Sequence, residues 1–241
     1  MRIVPLLGAA LLVGCPSVER EPPTCEERED FACFRGFFRD LVGNPVEDLE
    51  LCTPDLPDVA CAVTGDDGGW QLPGLPRDAD VVVTAEHPDY VPTVFGQNTS
   101  MDWYDWHKVA VSPWVMNQNA DRLDVELDPE RGQLLFLTWE GLNLDGVDTP
   151  RVQGVTATLA GGEVFYADAI GLASASATAT TASGSGGALN LAPGTARLEL
   201  AAPEGRCDQE PSFHFAFDGS VVPVPILAGF TTAIDVICPV P

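Results

Sequence analysis

The stretch Thr64-Gly65-Asp66-Asp67-Gly68-Gly69-Trp70-Gln71-Leu72-Pro73-Gly74-Leu75-Pro76 decides the fold. Asp-Asp-Gly at 66–68 suits a tight turn that needs a residue at positive φ, which glycine adopts without steric cost. Gly69 lets the chain re-enter a sheet. Trp70 and Leu72, two residues apart, face one side of a strand. Runs of the same kind flank this segment: Phe34-Arg35-Gly36-Phe37-Phe38 and Leu49-Glu50-Leu51-Cys52 before it, Val81-Val82-Val83-Thr84-Ala85 after it. Short alternating or β-branched runs between Gly, Pro and Asp clusters are an all-β signature. One segment departs from it. Pro113 to Asp121 reads as a short helix, with Ser112 as its N-cap and Pro113 as its first residue.

Taken in order, the pieces of residues 34–95 resemble the carboxypeptidase regulatory-like domain, a transthyretin-like β-sandwich. Gly36-Phe37-Phe38-Arg39-Asp40 matches the opening strand and Gly43-Asn44-Pro45-Val46 its turn. Leu49-Glu50-Leu51 matches the second strand, and residues 64–76 match the threonine, acidic-Gly turn, strand and Pro-ended loop. Val81-Val82-Val83 follows, and His87-Pro88-Asp89-Tyr90-Val91-Pro92 stands where the family has Gly-Tyr. A fainter copy runs through Arg131–Phe136, Val152–Leu159, Ser185–Gly194 and Arg197–Leu200. At that repeat position the small-residue segment Gly171–Gly187 reads as a strand rather than a linker. The expected architecture is two tandem antiparallel β-sandwiches, transthyretin-like or Ig-like, at 31–127 and 128–241. Sandwiches of about 100 residues fit that length.

The N-terminus reads as an address. Arg2 precedes an apolar run from Ile3 to Val13, 11 residues long, against roughly 20 for a membrane span. Leu12-Val13-Gly14-Cys15 resembles the bacterial lipobox. The resemblance implies cleavage before Cys15 and acylation of its thiol and new amino group, palmitate being a typical chain. An ordinary secretory signal peptide is the alternative. Pro16 and Ser17 follow the cysteine, with no Asp of the kind that retains lipoproteins at the inner membrane, which implies an outer-membrane address. Residues 15–30 are Pro- and Glu-rich and read as an acidic tether.

Of 241 residues, 12 are Lys or Arg and 36 Asp or Glu, a net charge of −24. Losing residues 1–14, and Arg2 with them, leaves 227 residues and −25. Nucleic acid is excluded as a partner, because phosphate binding needs clustered cations. Direct adhesion to anionic lipid is disfavoured, so acyl chains at Cys15 are the expected contact with the membrane.

Six further cysteines in an exported chain imply disulfides, with 15 possible connectivities. Local logic favours three bridges. Cys52 and Cys61 flank a Pro- and Asp-rich turn; Cys207 and Cys238 stand alone in the C-terminal half; Cys25 and Cys33 remain. No C-x-x-C is present and His87, His107 and His214 are scattered, so structural zinc is not expected.

Catalytic signatures are missing: no G-x-S-x-G, P-loop, strand-linked G-x-G-x-x-G or H-E-x-x-H occurs. No enzyme activity and no cofactor is expected. An enzyme built from scattered carboxylates stays open, although no spacing singles out a pair. Trp103, Tyr104 and Trp106 with Trp114 place three of the five tryptophans within twelve residues. Such a cluster forms either a platform for glycan or peptide, or a plug between the two sandwiches. Asn143, Asp145 and Asp148 resemble half of a calcium loop, yet the distal Glu is replaced by Gly154. Resemblance and residues together imply a non-catalytic, lipid-anchored envelope protein acting as scaffold or recognition module, with an envelope protein or glycan as its partner. The alternatives are a module that binds glycan or peptide through the tryptophans, and a calcium-stabilised adhesion domain.

Overall fold

The computed structural model describes residue 25 and residues 31–100, 103–140, 150–203, 205–207 and 221–238, with backbone alone at 103–106 and 205–206. The strands are β1 (Phe31–Arg39), β2 (Glu50–Cys52), β3 (Ala62–Val63), β4 (Gly69–Pro76), β5 (Asp80–Glu86), β6 (Thr93–Asn98) and β7 (Trp103–Val109). After helix α1 (Pro113–Leu123) come β8 (Gly132–Trp139), β9 (Thr156–Leu159), β10 (Val164–Ala167), β11 (Ala173–Ser174), β12 (Ser185–Leu191), β13 (Gly194–Ala202), β14 (Gly205–Arg206), β15 (Val221–Ile226) and β16 (Thr231–Ile237). The fold is all-β, as the sequence leads one to expect. The expected helix is present, with Ser112 at its N-cap, Pro113 in its first turn and Asp124 closing it at positive φ. Gly68 turns at φ 78° where the Asp-Asp-Gly signal places it. A Cβ there would run into the Phe38 carbonyl.

Among the described residues, the strands form three sheets: β4-β1-β7, the nine-stranded β11-β10-β12-β8-β16-β6-β5-β2-β3, and β14-β13-β15 with β9 joined to β13. Phe34, Phe38, Trp70, Leu72, Leu51, Val83 and Phe95 fill a first core between the β4-β1-β7 sheet and β2, β5 and β6. Phe38, Trp70 and Phe95 make three ring contacts at 5.9–6.3 Å. Each such contact contributes about 0.5–1.5 kcal/mol beyond area burial. The second core joins Leu134, Phe136, Ile234 and Val236 of the large sheet to Leu198, Leu200, Val222, Val224 and Ile226 of the β13 sheet.

The two cores lie on opposite faces of the nine-stranded sheet. Thr93 of β6 aligns with Thr231 of β16, so Phe95 in the first core shares a face with Asp235. Ile234 and Val236, one residue out of phase, enter the second core. Two features of the expected architecture are thereby corrected. The sandwiches share a sheet, and β1–β7, β6–β16 and β8–β16 are parallel, not antiparallel. Parallel neighbours need long crossovers, so reading hairpins along the chain does not reveal them.

A further correction concerns Gly171–Gly187. Only Ala173–Ser174 and the residues from Ser185 onward are strand; turns and bends occupy the interval. Its hydroxyls bond to backbone instead. Thr180 Oγ1 accepts from Val155 N and donates to Val152 O, each at 2.9 Å, and Thr181 Oγ1 donates to Ala167 O at 2.8 Å. Such side-chain bonds compete with a ladder.

Candidate functional site

The three disulfides join the pairs that local reasoning favours: Cys25–Cys33, Cys52–Cys61 and Cys207–Cys238. Cys52–Cys61 closes the β2–β3 hairpin, where Leu51 pairs with Ala62. Cys207 and Cys238 lie inside the second core. Cys25 sits on the outside of the β4-β1-β7 sheet, where its N–H donates to Gln71 Oε1 at 3.2 Å. Glu50 lies beside Cys52 and Cys61 in an arrangement of metal-ligating types. The two sulfurs are spent on each other, so no thiolate pair is offered to a cation.

The aromatic segment occupies β7, which pairs with β1 at the edge of its sheet, and the start of α1. The side chains of Trp103, Tyr104 and Trp106 lie outside the described residues. Trp114 is 60% exposed, so it does not act as a plug. The described side chains of β7 divide between the two faces. His107 is exposed and stacks on Phe37 of β1 at 5.5 Å, and the Arg39 guanidinium stands 6.0 Å from the same ring. Arg35, Phe37 and Arg39 therefore form an outward row on β1, with His107 and Val109 beside it.

Lys108 points the other way. It is the chain's one lysine, it is 8% exposed, and its Nζ meets Asp235 Oδ2 on β16 at 3.0 Å. The Phe95 ring lies 5.5 Å from the ammonium. Asp235 Oδ1 accepts the Trp139 indole N–H at 3.0 Å, and the Arg151 guanidinium lies over the Trp139 ring. This chain of four side chains links β7, β16 and β8 on the first-core face of the shared sheet. Both oxygens of Asp235 accept a hydrogen bond, so the carboxylate clamps β7 and β8 to β16. Sequence reasoning missed it. Its signals were a single lysine, and one carboxylate within the otherwise uncharged run Thr231–Ile237.

Carboxylates with displaced acidity hold turns. Asp40 is held below its ordinary range chiefly by the Asn44 side-chain amide, together with the N–H groups of Asn44 and Val42. Asp168 is lowered first by its hydrogen bond with Arg122, at 2.7 Å, and by the Leu172 and Ile170 N–H groups. Tyr90 is raised by burial first, then by Asp40 and Asp89. Cys15 and the calcium candidates Asn143, Asp145 and Asp148 lie outside the described residues.

No family model and no curated protein matches the chain. Solved structures overlap with it weakly. The Bacillus anthracis TIE protein aligns at 11% identity and TM-score 0.27 over 88% of this chain and 34% of its own. A variant of the shaft pilin SpaA from Lactobacillus rhamnosus GG gives 9% and 0.24 over 88% and 98%. BcpA, the major pilin subunit of Bacillus cereus, gives 12% and 0.24 over 87% and 59%. The chain spans about a third of the first of these proteins. Scores of this size assign neither family nor function to this chain.

Proposed function

We propose that this is a non-catalytic protein of the bacterial envelope, held at the outer membrane by acyl chains on Cys15 and presenting two joined β-sandwiches as a scaffold or recognition module. The observation that carries the reading is Leu12-Val13-Gly14-Cys15 behind Arg2 and an apolar run too short to span a bilayer. Three supports stand beside it. Six cysteines join in three disulfides, which persist in exported chains. Among the described residues no helix is long and apolar enough to cross a membrane. The carboxylates of displaced acidity, Asp40 and Asp168, are occupied in turns. In the carboxypeptidase-like resemblance the domain is accessory to catalysis, and this proposal gives it the same standing here.

Fractionation tests the anchor. The protein sediments with envelope membranes and needs detergent for release, whereas Cys15→Ser loses acylation. Release of the unaltered protein by salt alone contradicts the proposal. Capture from envelope material then separates the recognition readings: an envelope protein supports the scaffold, and a purified glycan supports binding at the Trp114 end.

A further inference from the structure

We propose that the outer face of the β4-β1-β7 sheet is the surface turned toward the bilayer, its partner being the headgroup layer of the membrane that holds Cys15; the proposal rests on the anchor reading above. Cys25 fixes where the tether enters the fold. It is bonded to Cys33 of β1, and its N–H donates to Gln71 of β4. Gln71 lies opposite Arg35, and Arg35 is turned away from the core that holds Phe34 and Phe38. The tether therefore lands on the outward face of this sheet.

Chain length then limits how far that face stands from the lipid. From Cys15 to Cys25 the chain advances ten residues, which reach at most about 35 Å. Without the disulfide the first strand begins at Phe31, sixteen residues on, a reach of about 55 Å. The face itself suits a headgroup layer. It carries the guanidiniums of Arg35 and Arg39, the stacked Phe37–His107 pair, and partly exposed Phe31 and Val109. The acidic tether lies at this surface too, so the orientation acts within the folded part: it sets the guanidiniums of Arg35 and Arg39 toward the headgroups. Because the two cores occupy opposite faces of the shared sheet, the outer face of the β13–β15 sheet is directed away from the membrane.

The test uses the full acylated chain in phosphatidylethanolamine–phosphatidylglycerol vesicles that contain a phosphatidylethanolamine with a photoreactive headgroup. Flotation reports anchoring, and mapping of the cross-linked peptides reports orientation. The proposal expects cross-links within 31–39 and 107–109, and none within 195–201 or 221–226. A protein that floats but cross-links through 221–226, or not at all, overturns the orientation and leaves the anchor standing. A protein that does not float overturns both. In the double variant Cys25→Ser, Cys33→Ser the cross-links fall about twofold, the 3/2 power of the ratio of the two tether lengths. Unchanged cross-linking in a folded double variant overturns the role given to the disulfide. Should that variant not fold, the cross-links of the unaltered protein decide.

Discussion

The two halves are held together differently. The first core is aromatic, built on Phe38, Trp70 and Phe95, and its two disulfides lie at the periphery, one in a hairpin and one on an outer face. The second core is largely aliphatic, with Phe136 and Tyr166 meeting edge to face at 6.4 Å, and its disulfide is buried within it. The first half owes its order to large rings. The second draws more on a covalent link and on hydroxyls that satisfy buried backbone, such as Thr138, Thr180 and the Tyr166 phenol, which accepts from Ala157 N at 2.7 Å.

The largest expected effect breaks this contrast from the aromatic side. Phe38→Ala removes a ring that touches both partners, and is expected to cost about 3–5 kcal/mol in denaturant unfolding. Next come the disulfides. Loss of the pair Cys207–Cys238, whose separation is 31 residues, is expected to cost about 3.5 kcal/mol from chain entropy, with burial adding to that. Loss of Cys52–Cys61, separated by 9, is expected to cost about 2.5 kcal/mol. Equal midpoints for the two double Cys→Ala variants would erase the distinction between core and peripheral bridges.

The Lys108–Asp235 pair sharpens the comparison, because it joins strands of both halves. Asp235→Ala removes the β16 carboxylate from a nearly buried ammonium and is expected to cost about 2–4 kcal/mol. Lys108→Met, which removes that charge, is expected to cost less. The reverse order in thermal melts would show that the clamp is not what links β7 to β16. The smallest effect is at the surface. Asp168 has a lowered pKa, so the stability it contributes is present above the ordinary carboxylate range and is lost as pH falls through the depressed value. Arg122→Ala removes the first cause of that shift. The variant is expected to lose little at neutral pH and to show a shallower loss of stability in acid than the unaltered protein, measured as melting temperature against pH.

The first half was legible because its signals are local. The Asp66-Asp67-Gly68 turn, the alternation Trp70–Leu72 and the β-branched Val81–Val83 each determine their own conformation. The disulfides followed from position along the chain. The rest depended on distant partners. β16 inserts between β6 and β8 in parallel register, and no local pattern announces a neighbour roughly a hundred residues away. The Ala/Ser/Thr run at 173–184 alternates like a strand, yet Thr180 and Thr181 turn their hydroxyls onto backbone. Of the aromatic cluster, Trp114 is placed and exposed, while the reading of Trp103, Tyr104 and Trp106 concerns side chains outside the described residues. What the sequence did carry, in a lone Lys108 and a lone Asp235, becomes meaningful only when the sheet brings the two within 3.0 Å.

The intact mass of the protein extracted from envelope membranes tests the central claim most directly. The account predicts a mature chain of 227 residues beginning at Cys15, heavier than its polypeptide by a diacylglyceryl group and an amide-linked acyl chain, with the six remaining cysteines oxidised. A chain that begins elsewhere, or that carries Cys15 as an unmodified thiol, would contradict it.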